Sequence, residues 1–199
     1  MVYKTENKGK SQRITIIGGR GQMGQWFARE LSAKGHQVCS FGNKDWPLAQ
    51  KLLGDADLVL VSVPIEKTVE VIKRAAQYLK PSTAIADITS VKAEPHQAMM
   101  EYHKGAVMGL HPMFGPKVES FAKQIIVVCR GRNDDRFQWL LDFFKAKGSN
   151  LVESTPQEHD KMMVIIQAMR HFARFSLGVF LAEENIDIQR SLSMASPTY

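Results

Sequence analysis

Cysteine is almost missing from this chain: two occur in 199 residues, Cys39 and Cys129, each inside a strand-like run. That scarcity excludes a disulfide framework and a cysteine-rich metal centre; the two read as buried free thiols, and no metal site is expected. Long apolar runs are missing too. Nowhere do the roughly 18 consecutive apolar residues of a membrane span occur. The lysine-rich start "MVYKTENKGKSQR" has no apolar segment of the signal-peptide kind behind it. The expected compartment is the cytoplasm, with no membrane partner. Lysine and arginine outnumber the acids by 26 to 20, but they are scattered and not interleaved with aromatics. The excess reads as a solvated basic surface, and no nucleic-acid partner is expected.

What is present is alternation. Short Val/Ile/Leu-rich runs at Arg13–Ile17, Gln37–Phe41, Leu58–Val61, Thr83–Asp87, Ala106–Leu110, Gln124–Cys129 and Leu151–Ser154 lack polar alternation, as strands buried on both faces do. Helical segments lie between them: Met23–Lys34 stopped by Gly35, a short one from Asp45, Thr68–Leu79 stopped by Pro81, Glu94–His103, and Asp134–Lys147 stopped by Gly148. The pattern predicts an α/β fold with a doubly wound parallel sheet. After Ser154 it changes to one long helical stretch. We therefore expect a polar tail over 1–12, a Rossmann-type α/β domain over 13–154, and a second, helical domain over 155–199.

Gly19-Arg20-Gly21-Gln22-Met23-Gly24 is a G-x-G-x-x-G run between the first strand and the first helix. In that setting Gly19 permits the tight turn, Gly21 leaves room for a pyrophosphate, and Gly24 lets helix and strand pack closely. The helix N-terminus then faces the anion. A carboxylate closing the second strand would mark NAD, but Phe41 is followed by Gly42-Asn43-Lys44, and the first acid is Asp45. An amide and a cation there, with Arg20 nearby, suit the 2′-phosphate of NADP. The other reading is that Asn43 bonds a plain ribose and Lys44 is solvated.

Three further segments fall where strand ends would meet a ligand. Ser62-Val63-Pro64 turns the chain beside the cofactor, and "ADITSVK" brings Asp87, Thr89, Ser90 and Lys92 to the same rim, unless its hydroxyls only cap the next helix. In "GLHPMFGP", His111 directly follows an apolar strand, where an imidazole can accept a proton from a substrate hydroxyl. In the helical stretch Met162, Met163, Ile166, Met169, Phe172 and Phe175 recur at helical spacing and read as core. Near that face His159, Gln167, Arg170, His171 and Arg174 could meet an anionic substrate, although His159 could simply pair with Asp160.

Taken together, "GGRGQMGQWF", "VSVPI", "ITSVK", "GLHPMFGP", "EHDKMMVIIQAMRHFA" and "LAEEN…SLSMASPTY" resemble prephenate dehydrogenase, most closely the dehydrogenase portion of the bacterial bifunctional chorismate mutase/prephenate dehydrogenases of tyrosine biosynthesis. The resemblance implies oxidative decarboxylation of prephenate to 4-hydroxyphenylpyruvate, with hydride passing to NAD or NADP. It gives His111 the hydrogen bond from the ring hydroxyl, Ser90 the orientation of that hydroxyl and the nicotinamide, and His171 a place in the substrate pocket, to which Gln167 and Arg170 are added from their place on the helical stretch. It also implies that 13–154 is the dinucleotide-binding Rossmann domain, that 155–199 is part of a helical domain for substrate and dimer contacts, and that the protein is a homodimer. Other hydroxy-acid dehydrogenases of this architecture and a non-catalytic NAD(P) sensor stay open. Chorismate mutase activity is not expected, since only a short polar segment precedes the glycine loop. Members of the family hold a prephenate carboxylate with an arginine beyond "SPTY". The expectation here is nucleotide binding, slow turnover and self-association.

Overall fold

The computed structural model describes residues 11–184 and 187–194. The first ten residues of the expected tail and the "SPTY" stretch at 196–199 lie outside the described residues. By internal contacts the chain divides into two units, Met1–His159 and Asp160–Tyr199.

Among its described residues the first unit holds seven strands: β1 (Arg13–Ile17), β2 (Gln37–Phe41), β3 (Leu58–Val61), β4 (Ala84–Asp87), β5 (Val107–Pro112), β6 (Ile125–Arg130) and β7 (Asn150–Glu153). They form one sheet in the order β2-β1-β3-β4-β5-β6-β7. The neighbours from β2 through β5 are parallel, as expected. The wholly parallel expectation fails at one join, because β6 runs antiparallel to β5, pairing His111 with Val127. The reason is the connection: no helix spans 113–124, and without a crossover the chain can only return antiparallel. Burial on both faces holds for β3, β4 and β5, but the edge strands β2 and β7 are largely half-buried or exposed.

Helices cover both faces. On one, Trp26, Phe27 and Leu31 of α1 (Gln22–Ala33) share a core with Leu140 and Phe144 of α5 (Gln138–Ala146). Phe121 sits among them, its ring 4.6 Å from Trp26. On the other, Ala49 of α2 (Ala49–Leu52), Ile72 and Ala75 of α3 (Ile65–Ala76) and Met99 of α4 (Ala93–Tyr102) pack on Val59, Val61 and Ile85. Gly35 (φ +92°) and Gly148 (φ +88°) follow α1 and α5 in the left-handed conformation that glycine adopts readily, which ends those helices as the sequence predicts. Helix α3 starts at Ile65, earlier than Thr68, because Pro64 fits a helix start. Neither cysteine forms a disulfide; Cys129 is buried, while Cys39 on the edge strand is half-buried.

Helix α6 (Pro156–Met163) begins in the first unit, and a π-helical turn over Val164–Ala168, α7 (Met169–Glu183) and α8 (Ile188–Ser193) follow in the second. The expected core stripe is not a core here. Phe172 and Phe175 are 72% and 71% exposed. Among the described residues of this unit, one helix and a short successor offer no second layer to bury them. By length and composition alone, Pro156–Glu183 would suffice to cross a membrane.

Candidate functional site

The carboxyl ends of the parallel strands carry the site. At the end of β1, Gly18 takes φ +83°, so the left-handed residue of the turn is Gly18 and not Gly19. Its N–H donates to Phe41 O at 2.8 Å, which ties the loop to β2. Gly19 serves close packing, since a Cβ there would lie 2.8 Å from Ser40 Oγ. Gly24 fits its expected role more tightly still: a Cβ would come within 2.4 Å of Gly18 O and 2.7 Å of Gly19 Cα. At Gly21 the nearest atom is Gly18 O at 3.2 Å and the residue is exposed, so the space before α1 stays open. That cradle, with unpaired first-turn N–H groups facing it, fits a pyrophosphate.

A cleft of about 350 Å³ opens beside it, lined by Gly21, Gln22, Met23, Ser62, Val63, Pro64, Ile65, Ile88, Thr89, Ser90, Pro112 and Phe114 with its next two residues. Eight residues anticipated from the sequence thus share one cleft: Gly21, Gln22, Met23, Ser62, Val63, Pro64, Thr89 and Ser90. Asn43 and Lys44 stand elsewhere, exposed in a 3-10 turn (Asn43–Leu48) after β2. Gln167, Arg170 and His171 belong to the second unit, with Gln167 in the π turn and the latter two exposed.

His111 is buried at the end of β5, and its Nδ1 lies 2.7 Å from Nε2 of buried His159. Sequence reading missed this partnership. His159 falls on the first turns of α6, far along the chain, and the neighbouring Asp160 offered a simpler partner. At this distance one ring nitrogen donates and the other accepts, so the two imidazoles share a proton.

Asp87 and Lys92 do not reach the rim. Both side chains are 0% exposed and pair with each other beneath it. Lys92 Nζ also donates to Leu110 O at 2.8 Å, and the Thr89 N–H donates to Asp87 Oδ2 at 3.0 Å. The pair therefore braces the loop that carries Ser90 against the residue preceding His111. Gly109 makes room for it; a Cβ there would lie 3.3 Å from Lys92 Cδ.

A carboxylate from further along the chain stands against the end of β2. The 3-10 turn brings Asp45 back, and its Oδ2 accepts the Gly42 N–H at 2.7 Å and lies 2.8 Å from Arg20 Nη2. Those two contacts, the amide foremost, hold the Asp45 carboxyl below its usual range.

Residues 32–153 match the family model "Prephenate dehydrogenase, nucleotide-binding domain", and 155–199 match "Prephenate dehydrogenase, dimerization domain". Over 197 residues the chain is 43% identical to the T-protein of Haemophilus influenzae, covering 99% of this chain and 52% of that protein. It is 36% identical over 211 residues to a probable arogenate/prephenate dehydrogenase of Methanocaldococcus jannaschii, covering 96% of this chain and 47% of the relative. The chain thus spans about half the length of these curated relatives. A crystal structure of prephenate dehydrogenase from A. aeolicus, in complex with hydroxyphenyl propionate and NAD+, shares the fold. Its TM-score is 0.73 at 17% identity, covering 95% of this chain and 72% of that one.

Proposed function

Since the chain belongs to the prephenate dehydrogenase family, we propose that it serves the oxidative decarboxylation of prephenate to 4-hydroxyphenylpyruvate, with NAD(P)+ as oxidant. The observation that carries this reading is the cleft where the glycine loop and Ser90 meet, next to the His111–His159 pair at the end of β5. When bound, the oxidised nicotinamide accepts a hydride. With the shared proton on His111 Nδ1 and His159 accepting it, His111 Nε2 holds the lone pair. That nitrogen takes the proton of the ring hydroxyl, and Ser90 holds the hydroxyl in line. As the proton leaves, the oxygen–hydrogen bonding pair forms the carbon–oxygen double bond, and the hydrogen on that ring carbon departs with its own pair as hydride. Loss of the ring carboxylate as carbon dioxide then returns its bonding pair to the ring. The phenolate so formed recovers the proton from His111.

Gly19, Arg20, Gly21, Gln22, Met23 and Gly24 hold the dinucleotide, with Asn43, Lys44, Ser62, Val63 and Pro64 completing that role. In the second unit, His171, Gln167 and Arg170 bind the substrate. The match of 155–199 to a dimerization domain supports a second copy as partner, and a biosynthetic role fits the cytoplasm.

Adding prephenate and nucleotide and following the reduced-nicotinamide absorbance tests this proposal. His111→Asn should cut turnover by about a hundred- to ten-thousand-fold while nucleotide affinity hardly changes. Near-normal turnover in that variant would remove His111 from the chemistry.

A further inference from the structure

The end of β2 is where a dinucleotide fold of this kind identifies the adenosine ribose, through a carboxylate that accepts its 2′-hydroxyl. Here that position is Gly42, and the space a side chain would fill is taken by a guanidinium: a Cβ on Gly42 would lie 2.8 Å from Arg20 Nη1. We infer that the Arg20–Asp45 pair sets the choice between NAD and NADP, Arg20 recruiting a 2′-phosphate and Asp45 resisting it. This inference rests on the nucleotide-binding part of the function proposed above.

The two partners are held very differently. Asp45 is fixed by the Gly42 N–H at 2.7 Å, and its side chain is only 17% exposed. Arg20 has a fixed backbone, with its carbonyl accepting from Gln25 Nε2 at 2.7 Å, but its side chain is 58% exposed. A solvated pair of this kind separates at little cost. Its guanidinium can therefore exchange a carboxylate for a phosphate dianion, which it grips with two parallel N–H bonds. Asp45 cannot follow. It stays as a negative charge beside any 2′-phosphate and as an acceptor for a plain 2′-hydroxyl. The two side chains therefore pull the preference in opposite directions, and the unaltered chain accepts both nucleotides, NADP+ at least as well as NAD+.

Equilibrium dissociation constants for NADP+ and NAD+, measured by calorimetry without prephenate on the unaltered chain, Arg20→Gln and Asp45→Asn, decide the matter. Asparagine keeps an acceptor for the Gly42 N–H, so the turn is preserved. Arg20→Gln should lower the preference for NADP+ about tenfold through loss of the bidentate grip, mainly by weakening NADP+. Asp45→Asn should raise it by about three- to tenfold, tightening NADP+ and weakening NAD+. A preference that stays within twofold in either variant, or that moves in the same direction in both, overturns the inference, as does a chain that binds neither nucleotide. A preference that moves as expected in a chain that never oxidises prephenate keeps the pair's role and overturns the proposed reaction.

Discussion

The aspartate–cation pairs at the ends of β2 and β4 differ in nearly everything except their chemistry. Asp87–Lys92, after β4, has no exposed side-chain surface, while Arg20–Asp45, after β2, leaves the arginine mostly in water. A buried charge that loses its partner keeps the full desolvation penalty, so the first pair behaves as a fixed part of the frame. The second is screened and cheap to open, so a ligand can enter it. Burial, and not the identity of the residues, separates a brace from a reader.

The comparison breaks most visibly at Lys92. Lys92→Met should cost about 3–5 kcal/mol of stability by leaving the Asp87 carboxylate alone in the core, read as a lower urea midpoint. Adding Asp87→Asn should recover most of that loss. Salt sharpens the contrast next: raising ionic strength from about 0.05 to about 0.5 M should weaken NADP+ binding several-fold more than NAD+ binding, because only the exposed pair is screened. Urea unfolding over the same range should barely register the buried pair.

Acid gives a smaller effect. Burial holds His36, His96 and His103 below the ordinary histidine value of 6.5. The unfolded chain therefore takes up protons first, and stability should decline as pH falls below 6.5 toward the lowered folded values. Asp45 has the carboxylate sign: its contribution is present above the ordinary 3.8 and is lost only as pH falls through its lowered value. A thermal melt series from pH 7.5 to about 3 should show the histidine step well before any carboxylate step. Smallest of all, Arg20→Gln should leave the urea midpoint where it was, even as nucleotide preference shifts. A large loss of stability there would mean that the outer pair is a brace too.

Much of this was legible in the sequence because the relevant forces are local. Each strand lies within a few residues of the bounds read from the sequence, since a short apolar, β-rich run between polar or turn-forming residues leaves few options. The crowding at Gly24 follows from the spacing of the glycine motif. What escaped depends on contacts between distant residues. Nothing near His159 announces His111, 48 positions away. The antiparallel β6 is hidden although no helix is read between the fifth and sixth runs, because an apolar strand looks the same in either direction and only the pairing shows that the chain has turned back. Asp45 looked too late to close β2, since spacing along a chain does not reveal that a 3-10 turn will fold the carboxylate back onto Gly42. The stripe from Met162 to Phe175 reads as core by periodicity, but periodicity names the apolar face and not its cover.

The strand order has a consequence for how the protein is made. In β2-β1-β3-β4-β5-β6-β7, the first strand accepts β2 on one side and β3 on the other, and every later strand joins the outer edge left by its predecessor. No strand has to be threaded between two that are already paired. A sheet of this order can grow in step with synthesis, each new edge waiting only for the next segment to emerge, so the lifetime of an exposed edge is set by the pace of the ribosome more than by a search through the chain.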